Sequence, residues 1–88
     1  MPRMVITHDV VDIDRWLKGK AERAAAIGSA GTNVTDYVAL DGSNHVAVTA
    51  DIDELDAVQA LLASPPPEVA AQMESHGVRP PITAYIEK

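Results

Sequence analysis

One short run, Val5-Ile6-Thr7-His8-Asp9-Val10-Val11-Asp12-Ile13-Asp14-Arg15-Trp16, limits what this chain can become more than any other stretch. Residues Arg3 to Asp9 predict a strand, with Met4, Ile6 and His8 on one face and Val5, Thr7 and Asp9 on the other. Asp12 reads as the N-cap of a helix, and Asp14 sits in its first turn, facing the positive end of the dipole. That helix carries Trp16, the only tryptophan in the chain. A histidine and a lone tryptophan this close to a strand–helix junction point to a pocket or a tight packing site between them.

The rest of the pattern extends the layered arrangement. Ile13, Trp16, Leu17, Lys20, Ala24 and Ile27 recur at helical spacing and predict one amphipathic helix, ended by Gly28 and Gly31. Thr32 to Leu40 predicts a second strand, with Val34, Val38 and Leu40 on one side and Tyr37 opposite. Asp41-Gly42-Ser43-Asn44 is a hairpin signal, and His45 to Asp51 returns as the third strand. Asp53 is placed to cap a helix carrying Leu55, Val58, Leu61 and Leu62. Ser64-Pro65-Pro66-Pro67 breaks that helix, and Ser64 with Pro65 at the first helical position can start another, which Gly77 stops. Ile82 to Glu87 is the last strand. The order βαββα(α)β describes an α+β, ferredoxin-like fold in one domain spanning 1–88, with a four-stranded antiparallel sheet ordered 4-1-3-2.

Composition bears on how such a sheet is covered. There is no Phe or Cys, and the only large aromatics besides Trp16 are Tyr37 and Tyr85, so the core rests largely on Ala and Val. A domain of this size buries roughly 60–65% of its unfolded surface, which leaves a thin margin. Helices cover one sheet face; the other carries Val5, Tyr37, Ala39, Ala47 and Tyr85. A homodimer through that face is expected, with both tyrosines at the interface. The net charge of −6 argues against nucleic acid and against anionic membrane surfaces. No apolar run approaches the roughly 20 residues of a membrane span, and Met1-Pro2-Arg3 leads into a strand without a signal-peptide apolar core, so the expected location is cytoplasmic.

The landmarks in order are His8 followed by Val-Val-Asp-Ile-Asp-Arg-Trp at 10–16, Arg23 one helix later and Asp-Gly-Ser-Asn-His-Val at 41–46. Leu-Leu-Ala-Ser-Pro at 61–65 and the closing stretch Met73 to Pro81 complete the set. Taken together, the sequence resembles the dimeric α/β-barrel superfamily, which includes the antibiotic-biosynthesis monooxygenase-like domains. The resemblance covers nearly the whole chain. It implies two sheets meeting face to face in a homodimer, and a cavity in each subunit between sheet and helices. Members include cofactor-independent quinone-forming monooxygenases, haem-degrading enzymes, lactone isomerases and many proteins without known activity, so the fold does not choose among them. The haem-degrading members carry an asparagine on the first strand, where this chain has His8.

His8 is the candidate catalytic residue, either a pocket base whose pKa near neutrality suits proton transfer or a histidine satisfied within a small core. Trp16 is either the main core anchor or a flat wall for an aromatic ligand, and both can hold. Asn44 falls on the same face as His8 and can reach it, or it can serve the hairpin backbone alone. Arg23 and Arg79 can clamp an anionic group or lie solvated. His76, just before Gly77, suits the helix dipole. The three histidines share no metal-ligand spacing, no phosphate loop is present, and no cofactor is expected. The residues support two functions. One is a cofactor-independent monooxygenase or isomerase acting on a small aromatic or polyketide-like molecule through His8, Trp16, Arg23 and Asn44. The other is a non-catalytic ligand-binding or stress-associated domain. Cavity volume separates them, since ligand pockets run about 300–1,000 Å³ and a packed domain has none.

Overall fold

A computed structural model of the chain describes residues 2–28 and 30–88. Strands β1 (Arg3–Val10), β2 (Gly31–Val38), β3 (His45–Ile52) and β4 (Val78–Ile86) form one antiparallel sheet in the order β2-β3-β1-β4, as the pattern predicts. Helices α1 (Ile13–Lys18), α2 (Lys20–Ile27), α3 (Leu55–Ala63) and α4 (Pro67–Ser75) complete the order. This is an α+β, ferredoxin-like fold. No helix among the described residues is long and apolar enough to cross a membrane.

Register decides which residues meet. Met4 pairs with Ala50, Ile6 with Val48 and His8 with Val46, so these side chains line the helix side of the sheet. Val5 lies between Thr49 and Tyr85, and Thr7 between Ala47 and Thr83, on the opposite side. That second face carries no helix, and Tyr37 and Tyr85 stand exposed on it. The interior divides into two apolar clusters. Met4, Ala30, Ala50, Ile52 and Val58 form one, and Val10, Trp16, Val46 and Val48 form the other.

Several local expectations change. The single helix predicted from Ile13 to Ile27 is two, broken at Gly19. Asp12 does cap the first, accepting the Asp14 N–H at 3.0 Å. Asp53 does not cap α3: Glu54 holds that position without a side-chain bond. The Asp53 and Glu54 N–H groups instead donate to the Ala30 carbonyl at 2.8 and 3.3 Å, which pins the chain before the helix begins. The helix after the proline break, α4, starts at Pro67 rather than Pro65, because Pro66 takes the extended cap conformation. Leu40, expected on the inward side of β2, lies beyond the end of that strand and is fully exposed.

The last strand begins four residues earlier than its pattern suggests, at Val78. Its ladder to β1 is interrupted beside His8. Thr7 pairs with Thr83 and Asp9 with Arg79, so Pro80, Pro81 and Ile82 stand opposite one residue. Proline has no N–H to give to a ladder, so the pairing stops there and resumes two residues out of step.

Candidate functional site

The polar core of the molecule is built around Arg23. Its place on α2 turns the side chain inward, where it is 8% exposed. One terminal nitrogen donates to the Trp16 carbonyl at 2.7 Å and to His76 Nδ1 at 3.2 Å. The other donates to Asp36 Oδ2 at 2.8 Å in an ion pair whose side chains are both buried. The guanidinium carbon lies 4.1 Å from the centre of the Trp16 ring, a cation–π contact in a dry setting. Trp16 is 0% exposed, and His8 meets it edge-on with ring centres 6.0 Å apart.

Two local features hold this cluster in place. Gly19 lets α1 and α2 turn against the His76 ring, where a Cβ would stand 2.3 Å from Nε2. Arg15 donates to the Ser75 and Glu74 carbonyls at 2.7 and 2.9 Å, tying α1 to the end of α4. Those are carbonyls a helix end leaves without internal partners. Gly77, at φ +75°, then reverses the chain into β4.

Hydrogen bonding assigns the tautomers. An arginine N–H can only donate, so His76 Nδ1 accepts and the ring proton of this arrangement sits on Nε2. That nitrogen faces the Glu22 carboxylate at 3.8 Å, beyond hydrogen-bond reach. A carbonyl can only accept, so His8 Nδ1 donates to the Asp9 carbonyl at 3.1 Å and Nε2 is left bare. Burial holds the His8 pKa below the ordinary histidine value and the charge of Arg23 adds to this, against the opposing bond to the Asp9 carbonyl. Nε2 is therefore the ring nitrogen open to a proton, while the burial and the cation that keep the ring neutral also make it a weaker base than a free histidine.

Beside this cluster, between the sheet and all but the first helix, lies a cavity of about 220 Å³. Its polar wall is His8, Arg23, His76 and Gln72; Met4, Ile52, Val58, Leu62 and Met73 are among its apolar residues. Four buried side-chain atoms lack a hydrogen-bond partner among the described residues: Trp16 Nε1, Arg23 Nε, Asp36 Oδ1 and His76 Nε2. All four belong to the one cluster. Unpaired buried polar atoms are uncommon and call for a water, a ligand or a functional reason.

The structure therefore brings His8 and Arg23 to one wall, with Trp16 directly behind them. Trp16 does not line the cavity, because Val10, Val46 and Val48 enclose it and the Arg23 guanidinium covers one ring face. It supports the wall and is not the flat surface expected for a ligand. Asn44 also lies apart: it is exposed, its amide donates to the Val11 carbonyl at 3.4 Å, and it is absent from the cavity wall. The residues that sequence reasoning undervalued are His76, 4% exposed and bonded to Arg23 where only a helix-dipole role was expected, and Asp36. A signal for Asp36 existed, since strand alternation places it opposite Val48 on the helix side. Among the described residues no three His, Asp or Glu side chains gather to hold a metal ion.

No protein-family model matches the chain, and no curated protein matches it. Solved structures do. An antibiotic biosynthesis monooxygenase superposes with a TM-score of 0.68 at 12% identity, covering 100% of this chain and 97% of its own. SnoaB, a cofactor-independent oxygenase from Streptomyces nogalater, gives 0.64 at 15% identity over 99% and 92%. A dimeric protein of unknown function with a ferredoxin-like fold, from Bacteroides fragilis, gives 0.59 at 14% over 99% and 94%. The chain shares the fold of these structures. At these identities the likeness speaks for architecture, and the chemistry has to come from the cavity itself.

Proposed function

We propose that this protein is a cytoplasmic homodimer whose cavity binds a small aromatic or enolisable molecule and removes a proton from it, as a cofactor-independent monooxygenase or an isomerase would. One observation carries the reading: His8 lines the cavity with its Nδ1 proton committed to the Asp9 carbonyl and its Nε2 bare, next to Arg23. His8 Nε2 takes the proton of an acidic C–H or O–H. Arg23 stabilises the oxyanion that develops, and because its position is fixed beforehand it does so without reorganisation. His76 and Asp36 position Arg23. An isomerase returns the proton to another carbon. A monooxygenase passes the carbanion to dioxygen, so that a CH₂ group becomes C=O, one oxygen atom stays on carbon and the other leaves as water. Pairing is supported by the dimeric Bacteroides fragilis neighbour, and the face proposed for it is the open side of the sheet, where Tyr37 and Tyr85 are exposed.

The cavity volume favours a second reading. About 220 Å³ lies below the roughly 300–1,000 Å³ of most ligand pockets, which suits a non-catalytic domain whose pocket is largely filled by core side chains. A thermal-shift screen with hydroxylated aromatics, run beside oxygen uptake without added cofactor, separates the two. The enzyme reading expects at least one compound to raise the melting temperature and drive oxygen uptake or isomerisation. His8→Gln, still folded by circular dichroism, should lose the turnover. Turnover unchanged in His8→Gln would remove His8 from the mechanism.

A further inference from the structure

We propose that the cavity takes a compact, uncharged, single-ring hydroxyarene, its hydroxyl at His8 and its ring toward Met4, Ile52 and Leu62, and turns away fused-ring phenols and carboxylates. This rests on the reading of the cavity as the ligand site and narrows it to one substrate class. Volume sets the size. A dry cavity of roughly 150 Å³ accommodates benzene, so by proportion about 220 Å³ holds about nine non-hydrogen atoms. That is one benzene ring with two or three small substituents. A two- or three-ring scaffold exceeds it unless the walls move.

Charge sets the polar end. Among the described residues Arg23 is the one cation on the wall, and the buried Asp36 carboxylate already matches it at 2.8 Å. His76 Nδ1 accepts from Arg23 and so adds no positive charge in this arrangement. A carboxylate entering here loses its hydration without finding an unpaired counter-charge, which is costly in an apolar surrounding. A neutral hydroxyl has no such penalty, and it finds a bare acceptor in His8 Nε2. The anion then arises only after proton transfer, and the His8 imidazolium that the transfer creates is its counter-charge, with the fixed Arg23 guanidinium nearby as a further donor. A counter-charge that exists only after the transfer favours reaction over simple binding.

The test uses the full chain and four probes (phenol, 4-tert-butylphenol, benzoate and 2-naphthol), followed by NMR of the His8 and His76 ring protons and the Arg23 Nε–H. Phenol should shift these signals saturably, and benzoate should bind about tenfold more weakly or less. 4-tert-Butylphenol and 2-naphthol, with eleven non-hydrogen atoms each, both exceed the cavity and should both bind more weakly than phenol. Met73→Ala, which widens the wall at a flexible side chain, should admit 2-naphthol about tenfold more tightly than the parent does. Two outcomes overturn the proposal and leave the cavity as a ligand site. One is 2-naphthol binding the parent as tightly as phenol at these residues; the other is benzoate matching phenol. Silence of all three side chains toward every probe, in the parent and in Met73→Ala, overturns the site reading itself. If Met73→Ala fails to fold, the series on the parent chain still decides the size limit.

Discussion

The two ends of the interior are built on different principles. Around Met4, Ala30, Ala50, Ile52 and Val58 the core is wholly apolar, assembled from several small and medium side chains that share the burial. Around Trp16 the apolar shell of Val10, Val46 and Val48 encloses a polar cluster in which Arg23 contacts three partners at once. Stability at the first end is spread over many interchangeable contacts. At the second it is concentrated in a few, because a buried polar group left unpartnered costs far more than a missing methyl. The cavity spans both, so a ligand entering it would have its apolar part at the redundant end and its reactive part at the vulnerable one.

The comparison breaks most directly at Trp16. Trp16→Ala should cost about 3–5 kcal/mol, through the lost ring and through the Arg23 charge stripped of its cover. At the apolar end, Ile52→Val should cost about 0.5–1.5 kcal/mol. Urea denaturation of both variants against the parent measures the contrast. A Trp16→Ala variant that melts within a few degrees of the parent would show that the polar cluster is not where stability is concentrated.

A smaller effect is expected at Gly19, where a Cβ would stand 2.3 Å from the His76 ring. Gly19→Ala should cost about 1–3 kcal/mol by overpacking, and the ring must move away from Arg23. The His76 ring resonances report that displacement independently of stability. Resonances that keep their parental positions would mean that the α1–α2 junction yields instead, and that His76 is not fixed by the close approach of Gly19.

These positions also show what could be read from residues alone. Strand periodicity from Met4 to His8 and from Val46 to Ile52, with the hairpin signal between β2 and β3, carried the sheet order, because a one-residue slip would turn every apolar side chain to the wrong face. The placement of His8 beside Trp16 was legible for the same reason. His76 and Asp36 were not given their due, because their burial depends on a contact 53 residues apart and on an arginine whose inward direction no local pattern encodes. The break at Gly19 was hidden by a helical spacing that runs through it on both sides. The side chain packed against it, His76, lies just past the end of α4, far away in sequence.

The subtlest difference between the two ends is their response to pH, because the apolar cluster has nothing to titrate. Burial and the Arg23 charge lower the pKa of His8 in the folded chain, while the unfolded chain holds it near the ordinary value of about 6.5. Between those two values the unfolded state binds more protons than the native state. The slope of unfolding free energy against pH is therefore positive there: the contribution of His8 is complete above about pH 6.5 and is lost as pH falls toward the lowered folded value. His8→Gln removes that proton from both states, so subtracting its stability curve from the parent's isolates the effect from the carboxylates, which titrate lower. The difference curve should bend just below pH 6.5, and the parent's His8 ring protons should titrate with a midpoint below that value. Parallel curves, or a ring that titrates at the ordinary value, would mean that water reaches His8 freely and that the cavity wall does not shield it.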